Sequence, residues 1–253
     1  MVRTLSEIME PYAYLLLGIV VVLAAGFIQG LTSFGFALIS MPILAAIMPL
    51  QQAVPIVVIL SLCTNVAVLA SCFRFVDLKK IWLLILSSLL AAPVGTHLLL
   101  FLDGNVLKVI TGGLIIIVGG ILLSGKSFPI RHDKLAFVPV GALSGLLNGS
   151  ISMSGPPVAL FLSNQGVDKE TFRANITAYG ICLNVVTLIS YLYSGLLSKQ
   201  LLTYTSWFVP SMFLGVWLGI RALRKLDEKW FKKMALWIII LSGIWTILGV
   251  VMQ

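Results

Sequence analysis

The strongest constraint on this chain is a series of apolar runs too long and too little charged for the core of a soluble protein. Ile81–Leu102, Leu107–Leu123 and Met234–Met252 are near-continuous examples, and only 10% of the 253 residues are charged. As a helix, about 20 apolar residues span the hydrocarbon layer of a bilayer. Lipid offers backbone N–H and C=O groups no partner, and the hydrophobicity is continuous rather than alternating. The chain is therefore predicted to be an all-α polytopic integral membrane protein.

The apolar runs divide into ten predicted segments. In each half, two short segments, which are either re-entrant or very short crossing helices, come before three full-length transmembrane helices. The ten segments are Tyr12–Ile28, Phe34–Met48, Ala53–Phe73, Lys79–Phe101, Val106–Ser124, Lys134–Leu147, Met153–Ser163, Thr171–Ser194, Gln200–Ala222 and Lys232–Met252.

The two halves also match each other in sequence. Gly26–Leu31 aligns with Gly141–Leu146, and Cys63–Val66 aligns with Cys182–Val185. The offset between matched positions drifts from 115 to 124 residues along the chain, which small loop insertions explain. The sequence predicts a first membrane repeat over 1–125, a linker over 126–134 and a second repeat over 135–253, all within one integrated transmembrane domain.

The basic residues set the predicted orientation. The net charge of +8 is concentrated in a few short loops, so it reports topology and does not indicate nucleic-acid binding. The basic loops are those at Arg74–Lys80, at Lys126–Lys134 and at Arg221–Lys233. With these loops inside, the linker is cytoplasmic, both termini are outside, and the second repeat is inverted relative to the first. Inverted repeats with interrupted segments in matching positions are typical of secondary transporters, here expected in a cell inner (plasma) membrane.

Polar residues interrupt the short segments at two places. The first break is Gln29–Gly35 and the second is Asn148–Pro157. Proline lacks an N–H and disfavours helix in its predecessor, so Gly155–Pro157 is predicted to begin a new helix. Helix N-termini carry unpaired N–H groups and partial positive charge, which suit an oxyanion. The two breaks are predicted to meet near the midplane of the membrane.

Two asparagines, Asn65 and Asn184, lie at matched positions inside full-length helices, where a buried amide needs a partner. They either tie down a broken backbone or contact substrate. The glycines at 26, 30, 141 and 145 are expected to pack helices instead. The predicted substrate-binding residues are Gln29, Thr32, Ser33, Gly35, Asn65, Asn148, Ser150, Ser152, Ser154 and Asn184.

Other residue types narrow the chemistry. No Asp or Glu lies deep in a segment, which argues against a cation carrier. Cys63, Cys72 and Cys182 form no CxxC pair, so neither a metal site nor a cofactor is predicted. His97 is either interfacial or a titrating group of a proton-coupled carrier. The expected partners are thus a small anion, the lipid bilayer and no nucleic acid, with protons as one candidate coupling ion and a homo-oligomer left open.

The paired motifs resemble those of the TauE/SafE family of sulfite and organosulfonate exporters. Gly26–Gly30, followed by Gly35 and Pro42, and Gly141–Gly145, followed by Gly155–Pro157, carry the resemblance, together with chain length and the basic linker. The resemblance implies that the protein transports small sulfur-containing anions such as sulfite, thiosulfate, sulfoacetate or taurine-related sulfonates, and that it is not an enzyme.

Two other functions would use the same residues. An anion channel would be built from the same broken helices and polar groups as a carrier. An intramembrane serine hydrolase would use the serines of Ser152–Gly155, but it needs a base beside them, and His97 is expected near the outer surface.

Overall fold

A computed structural model describes residues 5–107, 109–110, 113, 117, 133–165 and 167–223 of the protein. Helices make up nearly all of this part, and no strand occurs in it. A short 3-10 turn, Phe73–Phe75, follows the third helix. The helices are α1 (Leu5–Thr32), α2 (Phe36–Ile47), α3 (Leu50–Cys72), α4 (Leu78–Phe101), α5 (Asp133–Ile151), α6 (Gly155–Asn164), α7 (Lys169–Tyr193) and α8 (Lys199–Ala222).

These helices confirm the polytopic all-α prediction. Five apolar stretches, Leu15–Thr32, Leu50–Phe75, α4, α7 and α8, are long enough to cross a membrane. The 12-residue α2 and the 10-residue α6 are short, as predicted. At about 1.5 Å per residue they extend roughly 18 and 15 Å, about half of the hydrocarbon layer.

Helix α1 differs from the segment predicted there. It has 28 residues and is longer than the predicted segment Tyr12–Ile28, because it begins earlier, at Leu5, and continues into the first break, to Thr32. The predicted segments Val106–Ser124 and Lys232–Met252 lie largely or wholly outside the described residues.

The start of α7 is fixed by a side-chain cap. The carboxylate of Asp168 accepts hydrogen bonds from the backbone N–H groups of Glu170 and Thr171, which satisfies two of the unpaired donors of the first turn. Hydrogen bonding from Thr171 lowers the pKa of the exposed Asp168 carboxyl. Ser198 caps α8 in the same way, through the N–H of Leu201.

Glycines bring two pairs of helices into backbone contact. Helix α1 packs mainly against α8, and α5 packs mainly against α4. A methyl group on Gly26 would lie 2.7 Å from the carbonyl oxygen of Met212, and one on Gly149 would lie 2.7 Å from the backbone nitrogen of Thr96. Gly30, Gly141 and Gly145 approach the facing helix as closely, so the predicted packing role of these glycines is confirmed.

The close helix contacts of the first half recur in the second half at a constant separation in the sequence. Gly26 and Gly145 each contact the facing helix, as do Gly30 and Gly149. Each pair is 119 residues apart, the same separation as between Asn65 and Asn184. In this region the structure therefore relates the two halves by an offset of 119 residues, whereas the sequence alignment of the glycines used an offset of 115. The contacts exchange partners between the halves, since the first helix of each half packs on the fourth helix of the other.

Substituting Gly149 by alanine should destabilise the α4–α5 contact by about 1–3 kcal/mol, because the added methyl overlaps the carbonyl oxygen of Ala92 and the helix backbones must separate. Gly104→Ala is the matched control, since nothing lies within 4 Å of a methyl group there. Thermal unfolding of both variants in detergent checks this expectation. Equal stability of the two would contradict the close approach of the helices.

Candidate functional site

The two breaks line one small cavity. Its volume is about 40 Å³, which is space for a few water-sized groups and therefore for a small ion. Its polar lining comes from both halves, and none of the described residues that line it is charged. The lining residues are Gln29, Ser33, Phe34, Phe36, Ala37, Ser61, Asn65, Asn148, Ser152, Ser154, Gly155, Ile176, Tyr179, Gly180 and Asn184.

A serine in the left-handed conformation ends the helix at each break. Ser33 has φ 71° and Ser152 has φ 60°, and they are the only non-glycine residues with positive φ in the described part of the chain. Each backbone N–H still donates four residues back, Ser33 to Gln29 and Ser152 to Asn148. A non-glycine residue in this conformation costs of order 1 kcal/mol. Both halves therefore carry the same local strain at the same matched position.

Gln29 holds the first break together. Its Oε1 accepts the N–H of Phe36 at 3.0 Å, and its Nε2 donates to the carbonyl oxygen of Ser33 at 3.0 Å. These two backbone groups have fixed polarity, so they fix the orientation of the Gln29 amide. Its Nε2 also donates to Asn65 Oδ1 at 2.8 Å. Asn65 Oδ1 is therefore the acceptor, and its Nδ2 is left for the cavity that Asn65 lines.

Asn148 is the residue of the second break that corresponds to Gln29 of the first. The hydroxyl of Thr187 donates to the carbonyl oxygen of Leu183, so it can only accept from Asn148 Nδ2, at 2.9 Å. The same Nδ2 donates to Asn184 Oδ1 at 3.0 Å. This leaves Asn184 Nδ2, like that of Asn65, as a donor without a partner in the described part of the chain. Asn65 and Asn184, one from each half, thus line the cavity, and each has an amide donor that its break does not use.

Hydroxyl groups supply further donors. Ser152 Oγ is buried and has no hydrogen-bond partner among the described residues. Ser144 links the second break to α7, since its hydroxyl donates to the carbonyl oxygen of Ser154 at 2.7 Å and accepts from the hydroxyl of Tyr179 at 2.7 Å. Tyr191 donates to the carbonyl oxygen of Gly149 at 2.7 Å. Ser144 and Tyr191 thus tie α7 to the second break, whereas the Ser152 hydroxyl has no partner among the described residues.

The helix ends contribute fewer donors than the sequence suggests. Helix α6 begins at Gly155, as predicted, but its next two residues are Pro156 and Pro157, which have no N–H. At the start of α2, the N–H of Phe36 is occupied by Gln29. These two helix starts therefore have fewer N–H groups available to a ligand than an ordinary helix N-terminus has.

Seven of the ten predicted site residues line the cavity: Gln29, Ser33, Asn65, Asn148, Ser152, Ser154 and Asn184. The other three lie outside the lining. The hydroxyl of Thr32 donates to the carbonyl oxygen of Ile28, and that of Ser150 donates to the carbonyl oxygen of Leu146. Gly35 packs against Ile28, where a methyl group would overlap its side chain. Substrate contact by these three stays a prediction that the cavity does not support.

Arg173 is the residue beside the cavity that sequence reasoning missed. Its side chain is buried, and Nε donates to Ser33 Oγ at 3.1 Å across a separation of 140 residues. It lies inside the predicted segment Thr171–Ser194 and was not among the predicted site residues. Its position four residues inside α7 was the available signal, because a purely interfacial arginine need not lie within a membrane-spanning helix.

The other titratable candidates are outside the cavity. His97 is exposed on α4 and stacks on Phe101 with ring centroids 6.1 Å apart. All three cysteines are free thiols. Within the described residues, no group of three His, Cys, Asp or Glu side chains could hold a metal ion.

Comparison with known proteins identifies the family of the chain. Residues 18–246 match the model of the sulfite exporter TauE/SafE family. The chain is 25% identical over 225 residues to a probable sulfite/organosulfonate exporter TauE of Cupriavidus necator, a match that covers 85% of this chain and 86% of that protein. No solved structure matches the chain. Since the family model extends over most of the sequence, the chain belongs to the TauE/SafE family of membrane transporters.

Proposed function

We propose that the protein is a secondary transporter that moves sulfite, an organosulfonate or another small sulfur oxyanion by alternating access at the cavity between the two breaks. The observation that carries this proposal is the pair of amide donors, Asn65 Nδ2 and Asn184 Nδ2, that a fixed hydrogen-bond chain leaves for the cavity. Oxyanions accept hydrogen bonds and donate few or none. A lining with free donors and no carboxylate suits such a ligand.

The neutral lining also fits a carrier. Hydrogen bonds from neutral donors contribute less than bonds from charged ones, so binding is moderate and release is fast. The hydroxyls of Ser33 and Ser152 add to this set. Glycine would adopt their left-handed conformation without strain, and the presence of serine at both positions favours a role for the hydroxyl group.

The matched breaks support alternating access. Gln29–Asn65 and Asn148–Asn184 are equivalent hydrogen bonds offset by 119 residues, and the helix pairs around them exchange partners between halves. If the repeats are inverted, each half can adopt the conformation of the other, which exposes the same site to opposite sides of the membrane. We assign the first repeat to 1–125 and the second to 135–253.

Purified protein in proteoliposomes should take up radiolabelled sulfite, and unlabelled sulfite on the opposite side should accelerate that uptake. Such trans-stimulation is expected of a carrier, because the loaded site reorients as it returns. Uptake without trans-stimulation would indicate an anion channel. Absence of flux with sulfite and with organosulfonates would overturn the proposed function.

The predicted topology places the linker over 126–134 in the cytoplasm and both termini outside, in the cell inner (plasma) membrane. A single cysteine in place of Lys126, which lies outside the described residues, should react with a membrane-impermeant thiol reagent only after the cells are opened. A cysteine in place of Ser198, between α7 and α8, should react in intact cells. External labelling at position 126 would contradict the inverted-repeat arrangement.

A further inference from the structure

We propose that Arg173 is an anion-recognition residue, which binds the oxyanion between the cavity and the membrane face on which α7 begins and so makes substrate binding unequal on the two sides of the membrane. This inference rests on the proposed function, since it concerns the same anion and the same route.

Arg173 is a buried cation with an incomplete set of partners. Its exposed fraction is 5%, and Nη2 has no hydrogen-bond partner in the described part of the chain. Nη1 lies 3.4 Å from Glu170 Oε2, and the side chain of Glu170 is 40% exposed. A guanidinium group carries five N–H donors and stays charged, so burial without full pairing is costly. A ligand that supplies anionic oxygens would offset that cost.

The position of Arg173 connects it with the cavity. Nε donates to Ser33 Oγ, so the serine oxygen is an acceptor on that side and its proton is free to point elsewhere. Ser33 itself lines the cavity. Arg173 is about 6 Å along α7 from its first residue. An anion that leaves or reaches the cavity past Ser33 on this side therefore meets the guanidinium group.

The matched position in the first half has no charge. With the 119-residue offset of the two asparagines, Arg173 corresponds to Val54, which is fully buried in α3. Glu170 corresponds in the same way to Gln51. The two breaks are alike, but their approaches differ, because among the described residues only the approach beside α7 has a buried cation. Arg173 thus gives a nearly symmetric site a preferred side for anion capture.

The test is the KM for radiolabelled sulfite, measured separately in right-side-out and inverted membrane vesicles. Arg173→Gln should raise KM about tenfold or more from the side on which α7 begins, which is the usual effect of losing a hydrogen bond to a charged group. From the other side the change should stay below about twofold. Arg173→Lys keeps the charge but not the planar fork, and should fall between the two.

A second variant changes affinity in the opposite direction. Glu170→Gln removes the carboxylate that competes for Nη1, so KM from the α7 side should fall about two- to threefold, as expected for a partly exposed ion pair. Misfolding cannot produce this gain. Arg221→Gln is the matched control, because Arg221 stacks on Trp217 at 3.7 Å, at the end of α8 that shares a membrane face with the start of α7.

The side-specific pattern would establish the role of Arg173. Equal effects of Arg173→Gln from both sides, or no effect of Glu170→Gln, would overturn it while leaving the proposed function intact. Failure of the unsubstituted protein to move sulfite or any organosulfonate would remove the proposed function and this inference together.

Discussion

Replacing Asn65 or Asn184 with aspartate should reduce anion transport at least about a hundredfold. The aspartate Oδ1 can still accept from Gln29 or Asn148, so the chain that closes each break persists. The second oxygen, however, replaces the unpaired amide donor of a residue that lines the cavity. The anion loses a hydrogen bond and meets a negative charge, and both effects act in the same direction.

A leucine at the same position separates these two effects. Asn65→Leu removes the donor without adding charge, so its transport should lie between that of Asn65→Asp and that of the unsubstituted protein. Gln200→Glu, an exposed amide-to-carboxylate change on α8, should leave transport unchanged. Initial rates of sulfite uptake, at equal protein levels and with thermal unfolding as a check on folding, give the ranking. A cation or neutral solute as substrate would reverse the order of aspartate and leucine.

The sequence predicted the helices and the breaks because lipid leaves few alternatives. A run such as Ile81–Leu102 can only satisfy its backbone groups as a helix, and two consecutive prolines after Gly155 can only begin a new one. The roles of Asn65 and Asn184 could not be decided from sequence, since a buried amide serves either purpose. In the structure, Oδ1 of each amide belongs to the hydrogen-bond network of its break, and both residues line the cavity. Contact of either Nδ2 with substrate stays a proposal.

Which residues lie in or beside the cavity depends on contacts that the sequence does not show. Ser150 and Thr32 look as suitable as Ser152 and Ser33, but they donate to carbonyl groups of their own helices. Which serine faces the cavity depends on the left-handed turn at the break. That turn lies at a serine rather than at a glycine, so the sequence does not mark its position. Arg173 is next to Ser33 only because α7 passes the first break, and no local pattern connects residues 140 positions apart.

Joining Ser33 and Ser152 covalently should abolish transport. Both residues line the same cavity, and Gly155 of the second break lies close to Phe34 of the first, since a methyl group added at Gly155 would lie 3.0 Å from the carbonyl oxygen of Phe34. In a protein with Cys63, Cys72 and Cys182 replaced by alanine, the pair Ser33→Cys and Ser152→Cys should react with a short bifunctional alkylating reagent. Alternating access requires the two breaks to move relative to each other, so a short link holds the carrier in one state.

A transported organosulfonate should protect this pair, because bound anion occupies the space between the two thiols. The organosulfonate is the better protector for this test, since sulfite reacts with alkylating reagents. The pair Thr32→Cys and Ser150→Cys is the matched control, because both positions are in the same two segments but outside the lining. Equal cross-linking of the two pairs, or full transport by the linked Ser33→Cys/Ser152→Cys protein, would mean that the breaks pack helices together and that the anion crosses elsewhere.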